Sequence, residues 1–140
     1  MNLSWNLSKY EYFPSGKMFA SLDPEFIFVF GSNRAGIHGS GAAWFARNKF
    51  GARMGVGEGL TGQCYALPTK DGNIETLSVS EITKHVSTFI DVAKILPGYK
   101  FVVTRVGCGL AGYEDKDIAP LFRDAPNNCI FDEAWKPYLE

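Results

Sequence analysis

The chain has 140 residues, of which 46% are hydrophobic and 21% are charged, a balance typical of one folded globular domain. Its formal net charge of −1 provides no general attraction to nucleic acid polymers or to anionic membranes, so neither is expected as a partner. No apolar run approaches the roughly 20 residues that a membrane span requires, and the N-terminal residues do not have the pattern of a signal peptide.

The three cysteines, Cys64, Cys108 and Cys129, are an odd number and lack the spacing of metal ligands. Because thiols stay reduced inside cells, this pattern predicts free thiols in a cytoplasmic protein. We expect neither a metal site nor a bound cofactor, since a chain of this length buries enough surface to form its own hydrophobic core.

Residues 1–25 are aromatic and irregular, with Trp5, Tyr10 and Phe13 placed near Pro14 and Gly16. Strands at the edge of a sheet need a cover or another device that blocks further pairing. We therefore expect this segment to cover an edge of the sheet that the following residues form.

A strand is predicted at residues 26–30, where an unbroken apolar run indicates burial on both faces within an α/β layer. The chain then becomes rich in glycine, and residues 36–41 are named the first glycine loop. A helix is predicted over residues 42–50, and Gly51 ends it. The loop therefore lies at a helix N-terminus, where free backbone N–H groups and the helix dipole favour an anion.

Residues 55–62 contain four glycines and predict a flexible link to a short strand at residues 64–67. A turn at residues 68–72 closes this strand, which places Lys70 at the strand end. A lysine in that place either donates to a phosphate or attacks a sugar carbon as a nucleophile. A solvated turn lysine is the structural alternative.

The next helix is predicted from Ser78 and Glu81, which have the spacing of a capping box, and from apolar residues that recur with helical period up to residue 93. Pro97 and Gly98 end it. A strand over residues 100–106, a short helix over residues 115–122 and a strand at residues 129–131 complete the order. This alternation predicts a three-layer α/β/α architecture with a mixed, mostly parallel sheet. We expect a single domain over residues 1–140, with its motif-bearing core at residues 26–122.

Residues 106–113, named the second glycine loop, follow the strand at residues 100–106. Their glycines leave room for a ligand and let several N–H groups point at an anion. Ligands of such sheets bind at the carboxyl ends of the strands, so both glycine loops and Lys70 are expected to form one crevice. The first glycine loop has neither the lysine of a P-loop nor the glycine spacing of a dinucleotide fingerprint.

Several side chains beside these loops have two interpretations. Asn33 either hydrogen-bonds a ribose or a base edge, or forms a turn. His38 either contacts a phosphate or satisfies loop carbonyls, and Tyr113 either stacks on a base or ribose or packs at the core edge. Cys108 has no obvious basic partner that would make it a thiolate, so a small buried residue is the better interpretation.

Three segments resemble the macro domains that bind ADP-ribose. Residues 39–43 with residues 50–52 resemble the first ligand loop and helix of that family, residues 65–70 its lysine-bearing strand, and residues 107–110 its second phosphate loop, in the family's order. The motifs are most similar to the branch that includes the terminal ADP-ribose protein glycohydrolase. The resemblance implies a macro-like fold in which the two loops hold the diphosphate and the distal ribose.

The resemblance also implies roles for single residues. Lys70 is the tentative catalytic residue, because the matching lysine attacks the anomeric carbon of the ribose. An aspartate follows the Gly-Cys-Gly-Leu motif in those enzymes, but here that position is Ala111. The candidate ligand-binding residues are Asn33, His38, Gly39, Ser40, Gly41, Ala42, Thr69, Gly107, Cys108, Gly109, Leu110, Ala111, Gly112 and Tyr113.

Three hypotheses of function follow. The leading one is a protein that binds ADP-ribose or a related ADP-ribose-derived nucleotide, and so sequesters a signalling nucleotide. The second is an ADP-ribosyl hydrolase that uses Lys70 on an ADP-ribosylated protein or on a small signal, with Glu114 or Asp115 in place of the missing carboxylate. The third is a noncatalytic interaction module that presents its aromatic N-terminal segment to a protein.

Overall fold

The computed structural model describes residues 8–140, so the expected contribution of Trp5 lies outside the described residues. Six strands form one sheet in the order β1-β6-β5-β2-β4-β3. The strands are β1 (Glu11–Phe13), β2 (Phe26–Asn33), β3 (Gly59–Thr61), β4 (Cys64–Lys70), β5 (Lys100–Val103) and β6 (Cys129–Asp132). Every pair is parallel except β3 with β4, which confirms the predicted mixed, mostly parallel sheet.

Helices lie on both faces of this sheet. They are α1 (Gly41–Phe50), α2 (Val79–Ile95), α3 (Asp115–Ile118) and α4 (Lys136–Leu139), with 3₁₀ turns at Ala119–Phe122 and Glu133–Trp135. The alternate residues of β2 enter two separate cores. Phe28 and Phe30 pack with α1, whereas Val29 packs in the larger core with Phe89 of α2. The three-layer α/β/α architecture is therefore confirmed.

The longest helix begins where the sequence places it. The Ser78 hydroxyl accepts from the Glu81 N–H at 3.2 Å, and the Ser78 N–H donates to Glu81 Oε1 at 3.4 Å, which completes the capping box. The helix ends before Pro97, and its apolar face, with Ile82 and Phe89 fully buried, packs on the sheet. Within residues 8–140, no helix is long and apolar enough to cross a membrane.

The N-terminal segment is more regular than its sequence suggests. β1 extends the sheet beside β6, with Tyr12 opposite Phe131. The Tyr10 hydroxyl donates to the Ala125 carbonyl at 2.7 Å, and Phe13 is buried. The segment thus covers the sheet edge by adding a strand to it, and these aromatic side chains contribute to the fold.

Two further segments differ from the sequence predictions. β4 continues through Pro68 and Thr69 to Lys70 instead of turning at Pro68, while β5 already ends at Val103. Residues 115–122 form a single helical turn followed by a 3₁₀ turn. Pro120 explains the change of geometry, because it has no N–H to continue the α-helical hydrogen bonds.

The glycine-rich link at residues 55–62 was expected to be flexible, but the structure packs it against the sheet. It contains β3, which pairs with β4 in antiparallel orientation. The Ser32 hydroxyl donates to the Gly57 carbonyl, and Gly57 itself is buried. A Cβ at Gly57 would lie 2.5 Å from the Asn33 carbonyl oxygen and 2.7 Å from that of Arg34. The link therefore supports the chain that leads into the first glycine loop.

Replacing Gly57 with alanine tests this close packing. Because the added methyl group overlaps two backbone carbonyls, we expect Gly57→Ala to lower the free energy of unfolding by about 1–3 kcal/mol. Urea denaturation measures the change. Gly98→Ala is the matched control, since a Cβ at Gly98 meets no atom within 4 Å. Equal stability of the two variants would contradict the packed link.

Candidate functional site

A cavity of about 460 Å³ lies at the carboxyl ends of the central strands. Asn33 ends β2, Lys70 ends β4 and Thr104 follows β5, and all three line the cavity. The structure thus brings both glycine loops and Lys70 to one crevice. The sequence-predicted residues that line it are Asn33, Gly39, Ser40, Gly41, Ala42, Thr69, Lys70, Gly107, Gly109, Leu110 and Ala111.

The first glycine loop is held in shape by Asn33. The Asn33 amide donates to the Ile37 carbonyl at 2.7 Å, and its oxygen accepts from the Ile37 N–H at 3.0 Å. The turn-forming interpretation of Asn33 therefore describes its side chain, although the residue also lines the cavity. This pair of bonds directs the loop toward the start of α1.

The start of α1 leaves donors free. The Ser40 side chain makes no capping hydrogen bond, and Gly41 has a φ of 59°, which favours glycine. The first N–H groups of a helix have no intrahelical partner. Within the described chain, no hydrogen bond is made by the N–H groups of Gly39, Ser40, Gly41, Ala42 and Ala43.

The second glycine loop folds back on itself. The Tyr113 N–H donates to the Gly107 carbonyl at 2.9 Å, and the Gly112 N–H donates to the Gly109 carbonyl at 3.0 Å. A φ of 78° at Gly107 allows this reversal. The N–H groups of Gly109, Leu110 and Ala111 have no hydrogen-bond acceptor in residues 8–140, and these three residues line the cavity. Residues with unpaired N–H donors from both loops therefore line the same space.

Two cationic residues line the cavity, Lys70 and Arg105. The Arg105 guanidinium makes a bidentate pair with Asp115, with Nε 2.7 Å from Oδ1 and Nη2 2.9 Å from Oδ2. The buried Trp135 indole also donates to Asp115 Oδ1 at 2.8 Å. Sequence reasoning did not identify Arg105 as a site residue, because nothing in the sequence reveals its partner ten residues away.

The pKa values follow from this network. The hydrogen bond to Asp115 raises the pKa of Arg105, which stays charged. Burial alone would raise the pKa of Asp115, but the hydrogen bonds from Arg105 and Trp135 outweigh burial and lower it. Asp115 is therefore an ionised carboxylate whose oxygens are already occupied.

The residues that line the cavity include no carboxylate. Ala111 occupies the position of the expected aspartate, and its carbonyl accepts from the Thr76 hydroxyl at 3.0 Å. Glu114 pairs with Lys116 at 3.2 Å, while Asp117 accepts from the Glu114 N–H. Neither Glu114 nor Asp115 reaches the cavity as a substitute acid.

Four predicted residues lie outside the lining. Tyr113 donates through its hydroxyl to the Leu77 carbonyl at 2.7 Å and packs against the larger core. Burial raises the pKa of Cys108 to about 12, so its side chain is a neutral thiol that faces the Val106 carbonyl at 3.6 Å. Gly112 closes the second glycine loop. These three residues support the second glycine loop on the side away from the cavity lining.

His38 is the fourth, and this residue of the first glycine loop is fully buried. Its ring contacts Phe30 edge-on at 5.1 Å between centroids. The Arg53 and Val56 carbonyls face the ring, although neither ring nitrogen makes a hydrogen bond of acceptable geometry with a described residue. Burial lowers the pKa of His38, so the imidazole is neutral in the folded protein.

Sequence reasoning also missed Ile74, which lines the cavity while 41% exposed. Its φ of 63° is the only positive value at a non-glycine residue among those described. Such a conformation costs a side-chain-bearing residue about 1–3 kcal/mol. No local signal identifies it, since Gly72 and Asn73, the residues suited to such a conformation, precede it in the turn.

The fold and the site together define an α/β domain with a crevice at the carboxyl edge of its sheet, and several solved structures that share this architecture are macrodomains. The macrodomain of Mycobacterium tuberculosis DarG aligns with a TM-score of 0.62 at 17% identity, over 88% of this chain and 98% of that one. A macrodomain protein from Streptomyces coelicolor aligns with a TM-score of 0.55 at 15% identity, over 88% and 98%. The chain therefore has the macrodomain fold.

A third structure, Thermosipho africanus DarTG in complex with ADP-ribose, aligns with a TM-score of 0.55 at 16% identity. The alignment covers 76% of this chain and 37% of that longer one. No protein-family model matches the sequence, and a search of curated proteins found no significant match.

The neutral, buried His38 makes stability depend on pH. Above pH 6.5, its ordinary pKa, the imidazole is neutral in both the folded and the unfolded chain. Below that pH the unfolded chain binds a proton that the folded protein does not, so the free energy of unfolding falls by up to about 1.4 kcal/mol per pH unit. The fall continues until the pH reaches the lowered pKa of the folded state.

The variant His38→Leu isolates this effect, because leucine does not titrate and the ring has no hydrogen bond to lose. We expect the stability of the wild type relative to His38→Leu to decrease between pH 7 and pH 5, as measured by urea denaturation at each pH. A difference that stays constant over this interval would contradict a neutral His38.

Proposed function

We propose that this protein binds ADP-ribose or a related ADP-ribose-derived nucleotide in the cavity between its two glycine loops. The observation that carries the proposal is the composition of the cavity wall. Residues of both loops whose N–H groups are unpaired line one space together with the cationic residues Lys70 and Arg105, and no acidic residue lines it. Oriented amides and cations at a helix start are the groups that bind phosphates.

The contact between the two loops supports a ligand that spans both. A Cβ at Gly41 would lie 3.3 Å from Leu110 Cδ1, so the first and second loops approach each other across the cavity. A diphosphate offers two linked anionic groups, one for each set of donors. The same fold in a structure that contains ADP-ribose supports the choice of this nucleotide.

We propose that the protein holds its ligand without cleaving it and so sequesters a signalling nucleotide. A site that binds the ground state and the transition state equally strongly provides affinity but does not accelerate the reaction. The cytoplasmic location and an ADP-ribosylated protein partner remain predictions from the sequence. The interaction-module hypothesis gains no support, since Tyr10 and Phe13 are buried.

Filling the cavity tests the proposal. A Cβ at Gly109 meets no atom within 4 Å, so Gly109→Trp is expected to fold normally while its indole occupies ligand space. We expect the affinity for ADP-ribose, measured by calorimetric titration, to fall at least about tenfold, since about 1.4 kcal/mol of lost contact produces that change.

The matched control is Gly98→Trp, because position 98 is equally open and does not line the cavity. It is expected to bind as the wild type does. Absence of binding of ADP-ribose and its derivatives to the wild type would overturn the proposal.

Hydrolysis is the second candidate function, and the position of Lys70 favours it. Lys70 lines the cavity, and its ammonium group has no hydrogen bond or ion pair with residues 8–140. A positioned lysine acts either as a nucleophile on a sugar carbon or as an electrostatic catalyst. Ala111 stands against this candidate, because no carboxylate is present to assist.

Substitution of Lys70 separates the two candidates. If the protein hydrolyses an ADP-ribosyl bond, Lys70→Ala is expected to abolish release of ADP-ribose, followed by mass spectrometry. If the protein only binds, the wild type releases nothing. The affinity of Lys70→Ala is then expected to fall about threefold to tenfold, through loss of one charge-assisted hydrogen bond. Unchanged release by the variant would exclude a catalytic Lys70.

A further inference from the structure

The turn after β4 presents an isoleucine to the cavity in an unfavourable backbone conformation. Nine glycines among the described residues have positive φ, and Ile74 is the single residue of another type that does. A branched Cβ makes this conformation especially unfavourable. The strain is local and persists only where surrounding contacts fix the turn.

Asp71 fixes this turn. Its Oδ1 accepts from the N–H groups of Asn73 at 2.8 Å and Glu75 at 3.0 Å. The Asp71 N–H also donates to the Glu75 carbonyl at 2.8 Å, and the Ile74 N–H donates to the Asp71 carbonyl at 3.2 Å. These bonds determine the backbone whatever side chain position 74 carries. A glycine or an asparagine at position 74 would satisfy the same turn without strain.

The turn is also joined to the second glycine loop. Thr76 pairs with Lys70 across the base of the turn and donates through its hydroxyl to the Ala111 carbonyl at 3.0 Å. The turn therefore has a fixed place beside the cavity, and the exposed side chain of Ile74 is held at its wall.

Two more exposed apolar side chains line the same cavity. Ile37 of the first glycine loop is 48% exposed and Leu110 of the second is 67% exposed. With Ile74 they form what we name the apolar rim. The other lining residues include those of both loops with free N–H groups and the cationic residues Lys70 and Arg105. The cavity thus combines a part suited to an anion with a part suited to an uncharged surface.

We infer that Ile74 is a specificity-determining residue, and that the apolar rim packs against the uncharged part of a nucleotide, a base or a sugar face, whose phosphates occupy the glycine loops. This inference rests on the proposed function and adds to it the reason why a nucleotide binds in preference to a bare anion. Apolar surface that the ligand covers contributes affinity in proportion to its area. The strained turn keeps that surface in place before the ligand arrives.

Three substitutions at position 74 test the inference by calorimetric titration with ADP-ribose. Ile74→Asn and Ile74→Gly are expected to weaken binding about fivefold, since about 40 Å² of covered apolar surface corresponds to that change. Ile74→Leu keeps an apolar side chain and is expected to bind within about twofold of the wild type. Gly72→Ala is the control within the same turn, because a Cβ there meets no atom within 4 Å and Gly72 does not line the cavity.

Thermal unfolding provides the second measurement. Asparagine tolerates the left-handed conformation, so the Tm of Ile74→Asn is expected to equal or exceed that of the wild type. Lower affinity together with undiminished stability distinguishes a specificity residue from a structural one. A lower Tm of Ile74→Asn would overturn the inference, as would affinities of Ile74→Asn and Ile74→Gly within twofold of the wild type. A wild type that binds no ADP-ribose overturns instead the proposed function on which the inference rests.

Discussion

The site depends on the close approach of three backbone segments at Gly31. A Cβ at this position would lie 3.3 Å from Thr69 Oγ1 and 3.6 Å from the Gly107 nitrogen. The pairing of β2 with β5 ends at Val29, whereas its pairing with β4 continues to Asn33. The chain after β5 therefore separates from β2, and the cavity occupies the resulting gap. Its floor consists of backbone because position 31 has no side chain to fill it.

This arrangement divides the polar groups into two sets. The side chains of Asn33, Thr104 and Asp115 make hydrogen bonds within the protein. Asn33 holds the first loop, Thr104 binds the middle of β2 and Asp115 binds Arg105. Main-chain N–H groups of both loops remain free. A site whose donors belong to the main chain constrains few side-chain identities. This chain and the three solved structures can therefore have similar backbone geometry although they share 17% sequence identity or less.

Local signals were sufficient to predict much of the fold. The capping box at Ser78, the buried run of β2 and the glycine at position 51 each act within a few residues, so they appear directly in the sequence. β1 and β3 have three residues each, and their conformation depends on pairing with neighbouring strands. No local sequence pattern therefore predicts them. The same reason applies to the site. The loop glycines were predictable, but the Arg105 pair, the burial of His38 and the strained Ile74 depend on contacts between distant segments.

The absence of a carboxylate from the wall changes what the cavity is suited to do. An ionised carboxylate beside a bound diphosphate would repel it, so a hydrolase accepts weaker ground-state binding in exchange for assistance in the transition state. Ala111 has no charged side chain that would cause this repulsion. Its main-chain carbonyl accepts from the Thr76 hydroxyl and so links the second glycine loop to the turn that carries Ile74, a contact that does not depend on the side chain at position 111. The proposed nucleotide would therefore meet no acidic side chain among the residues that line the cavity.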